Sequence, residues 1–127
     1  MDVTVELEYD PVRDILFAVD HGELTTPEHI DAFFSVYDRF FATHGKKVYI
    51  VANIDNLLVR NEVAEEYSRR GAQTVRENVL GVARWGTNSW ARMTVRTTAL
   101  KANMPANIFD TEEEAIAAIE EMQRGDG

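Results

Sequence analysis

The chain opens with a strict alternation. Val3, Val5, Leu7 and Tyr9 take every second position, with Thr4, Glu6 and Glu8 between them. A period of two puts the apolar set on one face and predicts a half-exposed strand over 3–9. Asp10-Pro11 breaks it and Val12-Arg13-Asp14 completes a turn. A second strand is expected over 15–20, ended by His21-Gly22. The short connection makes the pair an antiparallel hairpin.

The period then changes. Thr26 is a good N-cap, Pro27 suits the first helical position, and Glu28 sits where the helix dipole favours an acid. Ile30, Phe33, Phe34, Tyr37, Phe40 and Phe41 follow at helical spacing, and Gly45 offers a left-handed cap. A third strand is predicted over 46–52. Its run Val48-Tyr49-Ile50-Val51-Ala52 is apolar on both faces, as in a buried parallel strand. A polar loop over 53–60 leads to a helix over 61–78 that Asn61 can cap. Residues 80–85 read as a fourth strand. Gly86-Thr87-Asn88 opens a third helix, to about Asn103, with a seam of Trp90, Met93, Thr97, Leu100 and Met104. Pro105 stops it, 106–109 is a short fifth strand, and Thr111-Glu112-Glu113-Glu114 is a capping box for a last helix.

The order β-β-α-β-α-β-α-β-α predicts an α/β fold. It is a single, mostly parallel five-stranded sheet with an antiparallel N-terminal edge strand. One domain over 1–123 with a flexible tail at 124–127 is expected. The Arg-Gly-Asp within that tail reads as chance.

Composition narrows the function classes. The chain has 127 residues and no cysteine. That excludes a disulfide scaffold, a thiol nucleophile and a Cys-ligated zinc. No apolar run approaches the ~20 residues that span a bilayer. The N-terminus lacks the basic and apolar regions of a signal peptide, so a cytoplasmic location is expected. The net charge is −9, which argues against binding nucleic acid or an anionic membrane. The charge is uneven: residues 59–101 carry eight basic and four acidic side chains, and no acid falls between Asn78 and Phe109. An anionic group would be met in that region.

The pattern resembles the STAS domain, and within it the SpoIIAA-like proteins, small bacterial relatives of the anti-sigma-factor antagonists. The resemblance covers nearly the whole chain. It rests on the element order, on the strand Val48–Ala52 followed by a polar loop and helix, and on the closing Asn107-Ile108-Phe109-Asp110-Thr111-Glu112-Glu113-Glu114-Ala115. It implies a small regulatory or ligand-binding domain. Some relatives of this shape look like binders of lipids or other hydrophobic ligands. Anti-sigma antagonists carry a phosphorylatable Ser or Thr after the third strand. This chain reads Asn53-Ile54-Asp55-Asn56-Leu57 there and has no hydroxyl. Asp55 is then either an imitation of a phosphorylated side chain or an Asx-turn former, and turn preferences favour the second.

No catalytic signature surrounds the three histidines or three serines. An enzyme would need His21 or His29 beside a carboxylate in a cleft. The glycine and free N–H groups at Gly86-Thr87-Asn88 suit an anion, with Arg84 before them and Arg92 and Arg96 after. Trp85 and Trp90 lie in the same stretch, and Leu57-Leu58 reads as core or as an exposed lid. The expectation is a non-enzymatic binding domain without metal or cofactor. Asp55, Leu57, Leu58, Arg84, Trp85, Thr87, Asn88, Trp90, Arg92 and Arg96 would engage an amphipathic anionic, lipid-like ligand or a protein partner. The alternative is a protein–protein module without a small-molecule pocket, dimerising through the third helix. An elongated apolar cavity would favour the first reading and a filled core the second.

Overall fold

The computed structural model describes residues 2–126. Five strands run β1 (Thr4–Asp10), β2 (Ile15–Leu24), β3 (Val48–Val59), β4 (Val79–Trp85) and β5 (Ile108–Phe109). Four helices run α1 (Pro27–His44), α2 (Ala64–Asn78), α3 (Ser89–Lys101) and α4 (Glu112–Asp126). The strands lie side by side in chain order. β1 pairs antiparallel with β2, and every later pair is parallel. This is the expected sheet. Right-handed crossovers that always step in one direction put their helices on one face. α1, α2 and α3 accordingly share a core with Leu16, Ile50 and Val82, while α4 covers Tyr49, Val51 and Ala83 on the other side.

The local signals behave as read. The Thr26 hydroxyl accepts the His29 N–H at 3.2 Å, and Gly45 takes φ 82°. Thr111 and Glu114 exchange backbone and side-chain bonds at 3.1 and 3.2 Å, which closes the capping box.

Four boundaries differ. The expected loop at 53–60 is strand. β3 continues to Val59 because β2 also continues, past an irregularity between Val19 and His21, and pairs Gly22 with Leu57 and Leu24 with Val59. Arg60 closes the extension: its N–H donates to the Leu24 carbonyl at 3.0 Å and its Nε to Glu23 at 2.9 Å. Asn53, Asp55 and Asn56 look like turn formers in isolation, but pairing with β2 overrides that preference. Second, Asn61–Val63 is a 3-10 turn rather than the start of α2. Third, the face of α3 that packs inward is Ala91, Val95, Thr98 and Ala99. The seam expected there is largely outside: Trp90, Met93 and Leu100 are 66%, 49% and 75% exposed. Small residues win the inner face because α3 lies close against β3 and α2. Fourth, α4 runs to Asp126, into the tail expected at 124–127, and Gly127 lies outside the described residues.

Candidate functional site

Two features stand out, one at the start of α3 and one beneath α2 and α3.

At the start of α3, Asp55 reaches from β3 to the β4–α3 connection. Its Oδ1 accepts the N–H groups of Thr87 at 2.7 Å and Asn88 at 3.1 Å. Asn88 itself caps the helix, accepting the Ala91 N–H at 3.1 Å. Gly86 is needed for this approach, because a Cβ there would stand 2.7 Å from the Asp55 carboxylate. The anion-attracting helix start is real, but the anion in it belongs to the chain. This corrects the expectation of an open head-group pocket at Thr87 and Asn88. Asp55 lies within a strand, though its N–H keeps a long contact of 3.4 Å to the Asn53 side chain.

Arg92 is similarly occupied. Its Nη1 donates to the Gly86 carbonyl at 2.8 Å and to Asp110 at 2.7 Å, so it clips the α3 start to the β5–α4 connection. Arg96 is exposed. Leu57 is fully buried in the core and forms no lid, whereas Leu58 is half-buried. Leu58 and Trp90 border one apolar groove with Val59 and Thr94. Trp85 points the other way, packing with Phe109 and Met122 under α4. Of the expected site residues, the structure thus brings Leu58 and Trp90 together on one surface, while Arg96 is exposed farther round α3. It gathers Asp55, Thr87, Asn88 and Arg92 into a closed internal network.

Arg84 belongs to the second feature. Successive β4 side chains alternate faces, so Arg84 faces α1, α2 and α3 while Trp85 faces α4. A half-open cavity of about 80 Å³ lies there, lined by Phe33, Phe34, Val75, Val82 and Met104. Asp20, Tyr37, Tyr67 and Arg84 contribute to its polar part, together with Ser68, Thr74 and Thr98. The Tyr37 hydroxyl donates to Asp20 at 2.6 Å. Burial pushes the Asp20 carboxyl up to about 6, against the opposing pull of the Tyr37 hydrogen bond and the Arg84 charge. Burial also raises both tyrosines, so their hydroxyls stay neutral. Arg84 donates to the Ala106 carbonyl at 2.8 Å and forms no ion pair among the described residues. Asp20, Tyr37 and Tyr67 were not brought together with Arg84 by sequence reasoning. The two tyrosines, at helical spacing, read as core, and Asp20 reads as the last residue of a strand.

His29 accepts the Thr25 N–H at 3.0 Å, a first-turn role. Neither it nor His21 is hydrogen-bonded to a carboxylate among the described residues. No group of three potential metal ligands converges there either.

No family model matches the chain, and no curated protein does. Among solved structures, an anti-sigma factor antagonist from Mycobacterium paratuberculosis is similar. It superposes with a TM-score of 0.67 over 94% of this chain and 95% of that one, at 14% identity. The chain has the SpoIIAA-like fold. In this SpoIIAA-like sheet β3 runs on to Val59, so the connection to α2 begins at Arg60. No helix among the described residues is long and apolar enough to cross a membrane.

Proposed function

We propose that this chain is a non-enzymatic regulatory module that binds a protein partner through the outward face of α3. The observation that carries the reading is the exposure of Trp90, Met93 and Leu100. At 100° per residue they fall within a sector of about 80°, so they form one stripe. Leu58 extends it across the groove. Aromatic and Met side chains with a flanking arginine, here Arg96, are the composition of an interface centre. The likeness to an anti-sigma factor antagonist, a protein named for acting on another protein, supports a protein partner. A lipid does not fit inside the cavity beneath α2 and α3, since about 80 Å³ is far below the roughly 300 Å³ at which ligand pockets begin.

The test is a photo-crosslinking amino acid placed at position 90, with a control at position 12, where Val12 is 94% exposed. A discrete protein adduct in cells at position 90 only is expected. An adduct of twice the chain mass would mean that α3 pairs with its own copy. Equal adduct patterns at both positions would overturn the reading.

A further inference from the structure

The sheet face beneath α1, α2 and α3 holds charges that packing does not require. Asp20 on β2 and Arg84 on β4 lie on either side of β3, where Arg84 pairs with the small Ala52 and Ala52 pairs in turn with Ala18, two residues before Asp20. A larger residue at position 52 would fill the gap. The alanine leaves the two charges facing a common space without contact. Arg84 has one nitrogen committed to the Ala106 carbonyl. The Tyr67 hydroxyl, on a residue only 9% exposed, has no hydrogen-bond partner among the described residues. A half-buried guanidinium without a carboxylate and a hydroxyl without a protein partner leave two donors open to whatever enters the cavity.

We propose that this cavity binds a small monocarboxylate, its carboxylate held by Arg84 and the Tyr67 hydroxyl and its short chain lying against Phe33, Val75, Val82 and Met104. A guanidinium and a hydroxyl are both donors, so they select an acceptor group. Size sets the chain. A cavity of 150 Å³ takes the six heavy atoms of benzene, so about half of that suits roughly three or four, an acid of about two carbons. The site is separate from the α3 face.

Charge balance adds a signature. The groups facing Asp20 are Tyr37 from α1, Tyr67 from α2 and Arg84 from β4, and both tyrosines are neutral. The Tyr37 hydrogen bond and, less strongly, the Arg84 charge hold the Asp20 proton off, and a carboxylate arriving at Arg84 offsets the second. The Asp20 carboxyl is then pushed further up as the ligand binds, so binding is accompanied by proton uptake and weakens as pH rises above about 6.

The test is calorimetric titration of the full chain with sodium acetate, against sodium chloride at equal ionic strength and against ethanol. It is run at pH 7 in two buffers of different ionisation enthalpy. Saturable binding of acetate is expected, at least tenfold tighter than ethanol, with net proton uptake. Arg84→Met should abolish it, Tyr67→Phe should weaken it several-fold, and Trp90→Ala should leave it unchanged. Tyr67→Phe keeps the ring and the fold, so it decides the matter even where Arg84→Met does not fold. Equal binding of acetate and ethanol, no saturable binding, no proton uptake, or an unaltered Tyr67→Phe would each overturn the proposal.

Discussion

Asp55 on β3 is half-exposed and takes two backbone N–H groups at the start of α3. Asp20, on the neighbouring strand, is 5% exposed and takes one hydroxyl proton, from Tyr37. The first carboxylate completes a helix terminus, where donors and dipole both favour negative charge. The second sits over an apolar cavity, and its nearest cation makes no ion pair with it. The difference shows that side-chain chemistry is set by what the fold brings alongside. One aspartate stabilises the structure, and the other costs stability whenever it is ionised.

The largest expected effect follows from Asp20. Its folded carboxyl is raised from 3.8 to about 6, so the folded state holds a proton that the unfolded chain has already released. Below about pH 4 both states are protonated and nothing is lost. As pH rises from 4 to 6 stability falls, and above 6 the full penalty of about 3 kcal/mol is present. Asp20→Asn keeps an acceptor for Tyr37 and removes the charge. It should therefore raise stability by up to about 3 kcal/mol at pH 7 and change little at pH 4. Urea melts of both proteins across pH 4–7 measure this. Parallel pH profiles would show that Asp20 is not the group that titrates, and the contrast between the two aspartates would collapse.

Asp55 should behave in the opposite sense. Asp55→Ala leaves the Thr87 and Asn88 N–H groups without their acceptor and should cost about 2 kcal/mol. Asp55→Asn retains an acceptor oxygen, so it should cost less than half as much. Equal losses in the two variants, read from melts at pH 7, would mean that charge rather than hydrogen bonding carries the effect.

Both aspartates show what a sequence can and cannot reveal. Signals confined to a few adjacent residues were legible. Thr26-Pro27, Gly45 and Thr111-x-x-Glu114 set helix ends through atoms three or four positions apart. The apolar run at Val48–Ala52 and the alternating β1 located the sheet. What depended on distant partners was hidden. Residues 53–59 look like a loop until β2 is known to run beside them as far as Leu24. Trp90, Met93 and Leu100 look like a seam, until Ala91, Val95 and Ala99 are seen to allow closer packing. Arg84 was legible as a cation in a basic stretch. Its relation to Asp20 was not, because only the sheet places β2 and β4 on either side of Ala52.

A third carboxylate gives the smallest expected effect and the sharpest control. Asp110 receives Arg92 at 2.7 Å, a distance as short as that from the Thr87 N–H to Asp55, yet the Asp110 side chain is 73% exposed. Water and salt screen such a pair, and the guanidinium keeps a second acceptor in the Gly86 carbonyl at 2.8 Å. Asp110→Asn should therefore cost no more than about 0.5 kcal/mol, and that loss should vanish in high salt. The Asp55→Ala loss should persist in the same salt, because its main part is two unsatisfied backbone donors. Melts of the two variants with and without added salt separate the cases. If Asp110→Asn proved as costly as Asp55→Ala, short distance alone would govern these carboxylates. Burial and the nature of the donor would then lose their place in the explanation.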